Sequence, residues 1–202
     1  MVQGESANAL GRMMRVVGGE WRGRPLTAPS GRATRPTSDK VREAIYDMLG
    51  ARLAARDERY DDHNALDLFA GTGGLGIEAL SRGALSCVFV ENAQPALRAL
   101  RTNLQRLNGA VERSRIVSAD YRAALQNDAR AGCRYTLVFA DPPYALYGET
   151  ESELRTLLPE VLGHDALVVV ETAKGCSVDL PFETVRVKLY GDTQVTLMEA
   201  GR

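Results

Sequence analysis

The sequence predicts an α/β fold, a Rossmann-like and mostly parallel doubly wound sheet with a C-terminal antiparallel hairpin and a small N-terminal hairpin-plus-helix extension. Three observations carry this. From Ala65 onward, short apolar runs alternate regularly with helical patterns, the signature of a parallel sheet covered by helices on both faces. The first of those runs ends in Leu66-Asp67-Leu68-Phe69-Ala70-Gly71-Thr72-Gly73-Gly74-Leu75-Gly76, a strand entering a glycine turn that opens a helix. The last two, Thr184–Tyr190 and Gln194–Glu199, are joined by Gly191-Asp192, which reads as an antiparallel hairpin on the sheet.

Taken in order, residues 1–13 are small, polar and aperiodic, and a disordered leader is expected there. Arg15-Val16-Val17-Gly18-Gly19-Glu20-Trp21-Arg22-Gly23-Arg24-Pro25-Leu26 mixes apolar, glycine and arginine positions, predicting a short hairpin whose glycines let backbone pass close to a neighbour. Trp21, the one tryptophan, is expected to cap this small layer rather than stack on a base. Thr37, Ser38 or Asp39 can cap a helix in which Val41, Ala44, Ile45, Met48 and Leu49 recur at helical spacing, ending near Leu53. Residues 14–54 therefore read as an extension and 55–202 as the main domain.

Within the main domain, strands are predicted at Ala65–Phe69, Ser86–Val90, Arg115–Ser118, Tyr135–Ala140 and Ala166–Val170. Helices are predicted at Leu75–Ser81, Pro95–Leu107, Tyr121–Asn127 and Ser152–Leu162.

Composition excludes several classes. With 202 residues, 45% hydrophobic and 25% charged, the chain has enough apolar material for one well-buried core and too much for wholesale disorder. The three cysteines, Cys87, Cys133 and Cys176, are scattered and form no CxxC pair. That argues against a disulfide framework and a zinc site and for a reducing cytoplasm. No membrane span or export signal is evident. The two histidines, His63 and His164, are expected to be solvated surface imidazoles. Net charge is only -1, yet between Arg12 and Arg42 eight basic residues stand against two acidic ones, an excess of the kind that faces phosphates.

Ligands of open α/β sheets gather at the carboxyl ends of the strands. Those ends are acidic here: Asp67, Glu91 and Asp120 close the first three strands, and Asp141-Pro142-Pro143-Tyr144 closes the fourth. A glycine turn alone does not separate nicotinamide from other nucleotide cofactors. A carboxylate at the position of Glu91 suits ribose hydroxyls in either case. A third acidic strand end and a rigid Asp-Pro-Pro-Tyr corner are outside the dehydrogenase pattern.

With those residues in view, the chain resembles the class I S-adenosylmethionine-dependent methyltransferases, and among them the RsmD family of 16S ribosomal RNA guanine-N2 methyltransferases. The likeness runs from about Met14 to the C-terminus. It rests on Arg15-Val16-Val17-Gly18-Gly19 with Arg22-Gly23-Arg24, Arg35-Pro36-Thr37 with Val41-Arg42-Glu43, the Leu66–Gly73 turn with Leu75–Ala84, Asp141-Pro142-Pro143-Tyr144, and Tyr190-Gly191-Asp192-Thr193. Phe69-Ala70-Gly71-Thr72 stands where the family commonly has serine last, and some members have phenylalanine in place of Tyr144.

The resemblance implies S-adenosyl-L-methionine as cofactor, contacted by Thr37, Asp67, Phe69, Ala70, Gly71, Gly73, Glu91, Asn92, Asp120, Tyr121 and Asp141, with Asp120 and Tyr121 near the adenine. It implies Asp141, Pro142, Pro143 and Tyr144 as the catalytic corner that holds the target base, and no metal. It makes residues 14–54 an RNA-binding extension with Arg15, Arg22, Arg24, Arg35, Lys40 and Arg42 on phosphates, and residues 55–202 the catalytic domain. The implied substrate is 16S rRNA in the small ribosomal subunit or its assembly intermediate, met by a cytoplasmic monomer. Adenine-N6 and glutamine-amide methyltransferases use a closely similar corner and are the main alternative. A nucleotide-binding dehydrogenase and a non-catalytic RNA-binding module stand further off.

Overall fold

The computed structural model describes residues 14–28, 38–144 and 147–201. Its elements are helix α1 (Asp39–Ala55), strand β1 (Asn64–Asp67), α2 (Gly74–Ser81), β2 (Ser86–Glu91), α3 (Gln94–Gln105), β3 (Ser114–Ser118), α4 (Tyr121–Arg130), β4 (Tyr135–Ala140), α5 (Tyr147–Leu157), β5 (Leu162–Ala173), β6 (Glu183–Tyr190) and β7 (Thr193–Glu199). They form a seven-stranded sheet in the order β3-β2-β1-β4-β5-β7-β6. The first five strands are parallel, and β7 and β6 add to β5 as an antiparallel pair. The chain runs from β1 outward to β3 and returns to β4 on the other side of β1, so the switch point lies between β1 and β4.

Side chains alternate across the strands, and the two faces fill two cores. On one face Ala65, Phe89, Phe139 and Val169 pack with α1, α2 and the N-terminal segment through Ile45, Leu49, Ile77, Val16 and Trp21. On the other, Leu66, Val88, Val138 and Val168 pack with α4 and α5 through Leu125 and Leu154. The N-terminal extension thus shares a core with the sheet. Its predicted hairpin is present as a small antiparallel pairing, with Val16 N–H on the Arg24 carbonyl and Leu26 N–H on the Met14 carbonyl.

Two readings of the elements change. The predicted helix at Ser152–Leu162 is α5 at Tyr147–Leu157, followed by a 3-10 turn at Pro159–Val161, because Pro159 has no N–H to continue an α-helix. The strand after it, β5, has 12 residues, longer than predicted at both ends: Leu162 pairs with Tyr135 of β4, and β7 pairs along it as far as Ala173 opposite Thr193. His63 is also corrected: it is buried, with Nδ1 3.0 Å from Thr136 Oγ1, and burial lowers its pKa. His164 is exposed. Among the described residues no helix is long and apolar enough to cross a membrane.

Candidate active site

At the switch point the β1 turn presents main chain. Gly73 has φ +88, a conformation that L side chains rarely adopt, and a Cβ there would meet Leu100 Cδ1 at 2.5 Å, so only glycine fits the position. Gly71 also has a positive φ, but a Cβ there would find its nearest atom, the Phe69 carbonyl oxygen, at 4.0 Å. The space over Gly71 is open, and a ligand can lie on its backbone. Asp67 sits beneath this turn, 2% exposed, with Oδ2 accepting the Gly76 N–H at 2.8 Å. Burial raises its pKa to about 7, against the opposing effect of that hydrogen bond.

Glu91, at the end of β2, ties the turn from the side. Oε2 accepts the Gly71 N–H at 2.8 Å, and Oε1 accepts the N–H groups of Asn92 and Ala93. A small cleft opens between Phe69, Glu91, Asn92 and Tyr121, where the Phe69 and Tyr121 rings lie 5.0 Å apart at 49°. These rings give a flat heterocycle an apolar face beside a carboxylate. Asp120 is the N-cap of α4, its Oδ1 on the Arg122 N–H at 2.9 Å and its Oδ2 on the Arg122 guanidinium. It serves as a helix cap between Ala119 and Tyr121, which line this cleft.

The second half of the site begins where β4 ends at Ala140, level with Val170 of β5. Asp141 follows Ala140 as Glu171 follows Val170, so two carboxylates stand level with each other, Asp141 just past the end of β4 and Glu171 within β5. Asp141 is partly buried, Pro142 is buried, and Pro143 and Tyr144 are exposed. Tyr144 is 42% exposed, and its hydroxyl lies 3.3 Å from Glu171 Oε1 and 3.1 Å from Thr193 Oγ1. Neither of those partners was singled out as a site residue from sequence; the signal available was the recurrence of a carboxylate, Glu171, at yet another strand end.

The basic residues divide. Arg15, Arg22, Arg24 and Lys40 are exposed. Arg42 is not: it is fully buried, with its guanidinium on the Arg15 carbonyl and on Asp39 Oδ1 at 2.7 Å. The expectation that it grips RNA is therefore corrected, since a buried cation already paired inside the protein is not available to a phosphate. Its Cδ lies 3.6 Å from where a Cβ on Gly74 would stand, so it braces the start of α2. Arg35 and Thr37 lie outside the described residues.

A buried charge in an otherwise apolar helix explains how the hairpin is held. Glu78, 1% exposed, accepts the Val17 N–H and pairs with Arg82. Ser81 donates to the Gly18 carbonyl and accepts from the Trp21 N–H. These contacts put the Gly19–Gly23 tip at the far end of α2, eight residues or roughly 12 Å from the glycine turn. Arg15, which pairs with Asp39 at the start of α1, lies nearer the turn than Arg22 does. Asn103 ties the end of the arm back to the turn, bonding Thr27 through both its carbonyl and N–H and also the Thr72 carbonyl.

Comparison with known proteins agrees with this geometry. The YlbH protein of Bacillus subtilis is 37% identical over 91% of this chain and 97% of its own. The protein named ribosomal RNA small subunit methyltransferase D in Escherichia coli K12 is 34% identical over 79% of this chain and 74% of its own. A solved structure of a Thermus thermophilus protein described as hypothetical superposes with a TM-score of 0.76 at 31% identity, covering 93% of this chain and 99% of that one. A family model described as conserved hypothetical protein 95 matches residues 14–199, and the chain belongs to that family, the RsmD family of methyltransferases.

Proposed function

We propose that this chain transfers the methyl group of S-adenosyl-L-methionine to the exocyclic N2 amine of a guanine in 16S rRNA, within the small ribosomal subunit or its assembly intermediate. The observation that carries the reading is the meeting, on adjacent strand ends, of an open glycine turn flanked by Glu91 and an Asp-Pro-Pro-Tyr corner. The names of the relatives support the rRNA substrate.

The residues around the turn fit the cofactor. Bare backbone at Gly71 and the neighbouring Phe69, Ala70 and Gly73 would take its methionine portion. Glu91 with Asn92 would hold the ribose, and the Phe69–Tyr121 pair with Asp120 would flank the adenine. Asp67 supports the turn from below. When bound, the cofactor supplies an electrophilic methyl group on a sulfonium.

Guanine's exocyclic nitrogen is a poor nucleophile because its lone pair is delocalised into the ring. The Asp141 carboxylate and Pro142 carbonyl accept its two N–H bonds and draw the nitrogen towards tetrahedral geometry. Pro142 and Pro143 fix the backbone angles that aim those acceptors. The Tyr144 ring offers a face to a base that has left its stack. Positioning and water exclusion supply most of the rate, without a covalent enzyme intermediate. Residues 14–54 act as the RNA-gripping extension through Arg15, Arg22, Arg24, Arg35 and Lys40, in a cytoplasmic monomer.

The test is methyl transfer from labelled S-adenosylmethionine to small subunits prepared from cells lacking this enzyme, followed by nucleoside analysis. N2-methylguanosine is expected. N6-methyladenosine in its place, or methylated glutamine in a ribosomal protein, would overturn the reading.

A further inference from the structure

We propose that Glu171 and Thr193 are positioning residues that clamp the Tyr144 hydroxyl, making the β6–β7 turn a wall of the active site that fixes the angle of the base-stacking ring. This rests on the methyltransferase reading for its consequence and on geometry for its existence.

Tyr144 has one hydroxyl hydrogen, and two oxygens lie within reach of it. Glu171 lies within β5, one residue beyond Val170, which pairs with Ala140 of β4. Thr193 opens β7, opposite Ala173 of β5 and Tyr190 of β6. The phenol therefore joins the segment after β4 to the C-terminal part of β5 and the start of β7, which meet because β7 pairs along β5 as far as Ala173.

The direction of the bonds follows from what each atom can do. The Tyr144 O–H donates to Glu171 Oε1, and with its one hydrogen so used the phenol oxygen accepts from the Thr193 O–H. Glu171 is 5% exposed, so this acceptor is held in place. Burial and the carboxylates of Glu171 and Asp141 push the Tyr144 pKa upward, which keeps the phenol protonated as the chain requires.

The physical need for a clamp is the ring's exposure. A tyrosine 42% open to water, following two prolines that set its backbone, still has free side-chain torsions unless its far end is held. Holding the hydroxyl fixes the direction of the ring axis before a base arrives, with the in-plane preference of the O–H favouring one ring orientation, and removes part of the ordering cost of binding. The phenol oxygen takes no part in the chemistry on this account. A phenylalanine in its place keeps the face and loses the fixed angle.

The test is a double-mutant cycle of Tyr144→Phe and Thr193→Val, read in kcat, in the KM for small subunits and in cofactor affinity. Thr193→Val should lower kcat about fivefold, the rate equivalent of one hydrogen bond, and Tyr144→Phe, which breaks both bonds, by at least as much, with cofactor affinity unchanged in each. The double variant should lose no more than Tyr144→Phe alone, because removing the phenol already removes the bond that Thr193 makes. Thr193→Ser, which keeps the hydroxyl, should restore the rate. Additive losses, failure of serine to rescue, or a loss confined to cofactor affinity would overturn the clamp.

A second measurement needs no RNA. With tyrosine labelled at Cζ, the Tyr144 resonance, assigned by its absence in Tyr144→Phe, should move in both Thr193→Val and Glu171→Gln. No movement in either would overturn the clamp even in a protein active on rRNA, whereas movement without any wild-type transfer would tell against the rRNA reading and leave the clamp standing.

Discussion

At the end of β1 the glycine turn is held by main-chain donors: Gly71 N–H on Glu91 and Gly76 N–H on Asp67, with Gly73 packed against Leu100. At the end of β4 the corner is held by two prolines and a single phenol whose partners come from β5 and β7. The first is mostly buried beneath an open Gly71, which suits the proposed role of holding a small ligand of constant shape. The second stays open, as a site must when a polymer has to enter, present one base and leave. Rigidity is thus placed on the cofactor half, and the substrate half relies on side chains that a partner can still displace. Three perturbations would break or sharpen this contrast.

The largest effect is expected at the corner. Asp141→Ala removes the carboxylate proposed to accept an N–H of the target amine and should cut kcat by about 10²–10³, the range for removing one preorganised polar group from a transition state. Cofactor affinity, measured by calorimetry, should change little, because the turn is braced elsewhere. Retained turnover would remove Asp141 from its role, and a matching loss of cofactor affinity would show that the two halves are not independent.

Next comes Asp67, whose pKa is raised from 3.8 to about 7 by burial. Between those two values the folded protein keeps a proton that the unfolded chain has released. Stability therefore falls as pH rises through this window, and the cost is complete above pH 7. Three units at about 1.4 kcal/mol each make that cost on the order of 4 kcal/mol. Asp67→Asn can still accept the Gly76 N–H but never ionises. It should therefore raise Tm at pH 8, match the parent near pH 4, and weaken binding of the cationic cofactor by withdrawing a negative charge from under the turn. A variant no more stable at pH 8 would show that the carboxylate is better solvated than its burial implies.

Much of this was legible in the sequence, and the failures have physical causes. Alternating apolar runs located the five parallel strands, and the position of Asp67, Glu91 and Asp141 at strand ends located the edge where they meet. The reach of β5 was not legible, because its last residues are ordered by β7, whose pairing is a long-range fact. Glu171 and Thr193 were missed for the same reason. Arg42 was misread because local charge counting cannot distinguish a guanidinium facing solvent from one folded back on the Arg15 carbonyl. His63 was misread because Thr136, its partner, lies 73 residues away.

The smallest effect is expected from the arm, and it separates grip from chemistry. Arg22 and Arg24 are exposed on a hairpin whose tip is fixed to the far end of α2 by Glu78 and Ser81, away from both halves of the edge. Charges placed there can hold phosphates without touching the base. Arg22→Glu with Arg24→Glu should weaken rRNA binding about tenfold at moderate salt and flatten the dependence of log affinity on log salt by roughly 1–2, as expected when about two phosphate contacts are lost. The loss should fall on the KM for RNA rather than on kcat, since the corner and the turn are untouched. Arg42→Met should behave in the opposite way, lowering Tm because Asp39 loses its buried partner, while the salt slope stays as it was. Unchanged affinity in the double arginine variant would move the RNA path off the hairpin and onto the face nearer Arg15 and Lys40. A fall in kcat instead would mean that the arm carries strain through Asn103 into the glycine turn, and that the two halves of the edge are joined through it.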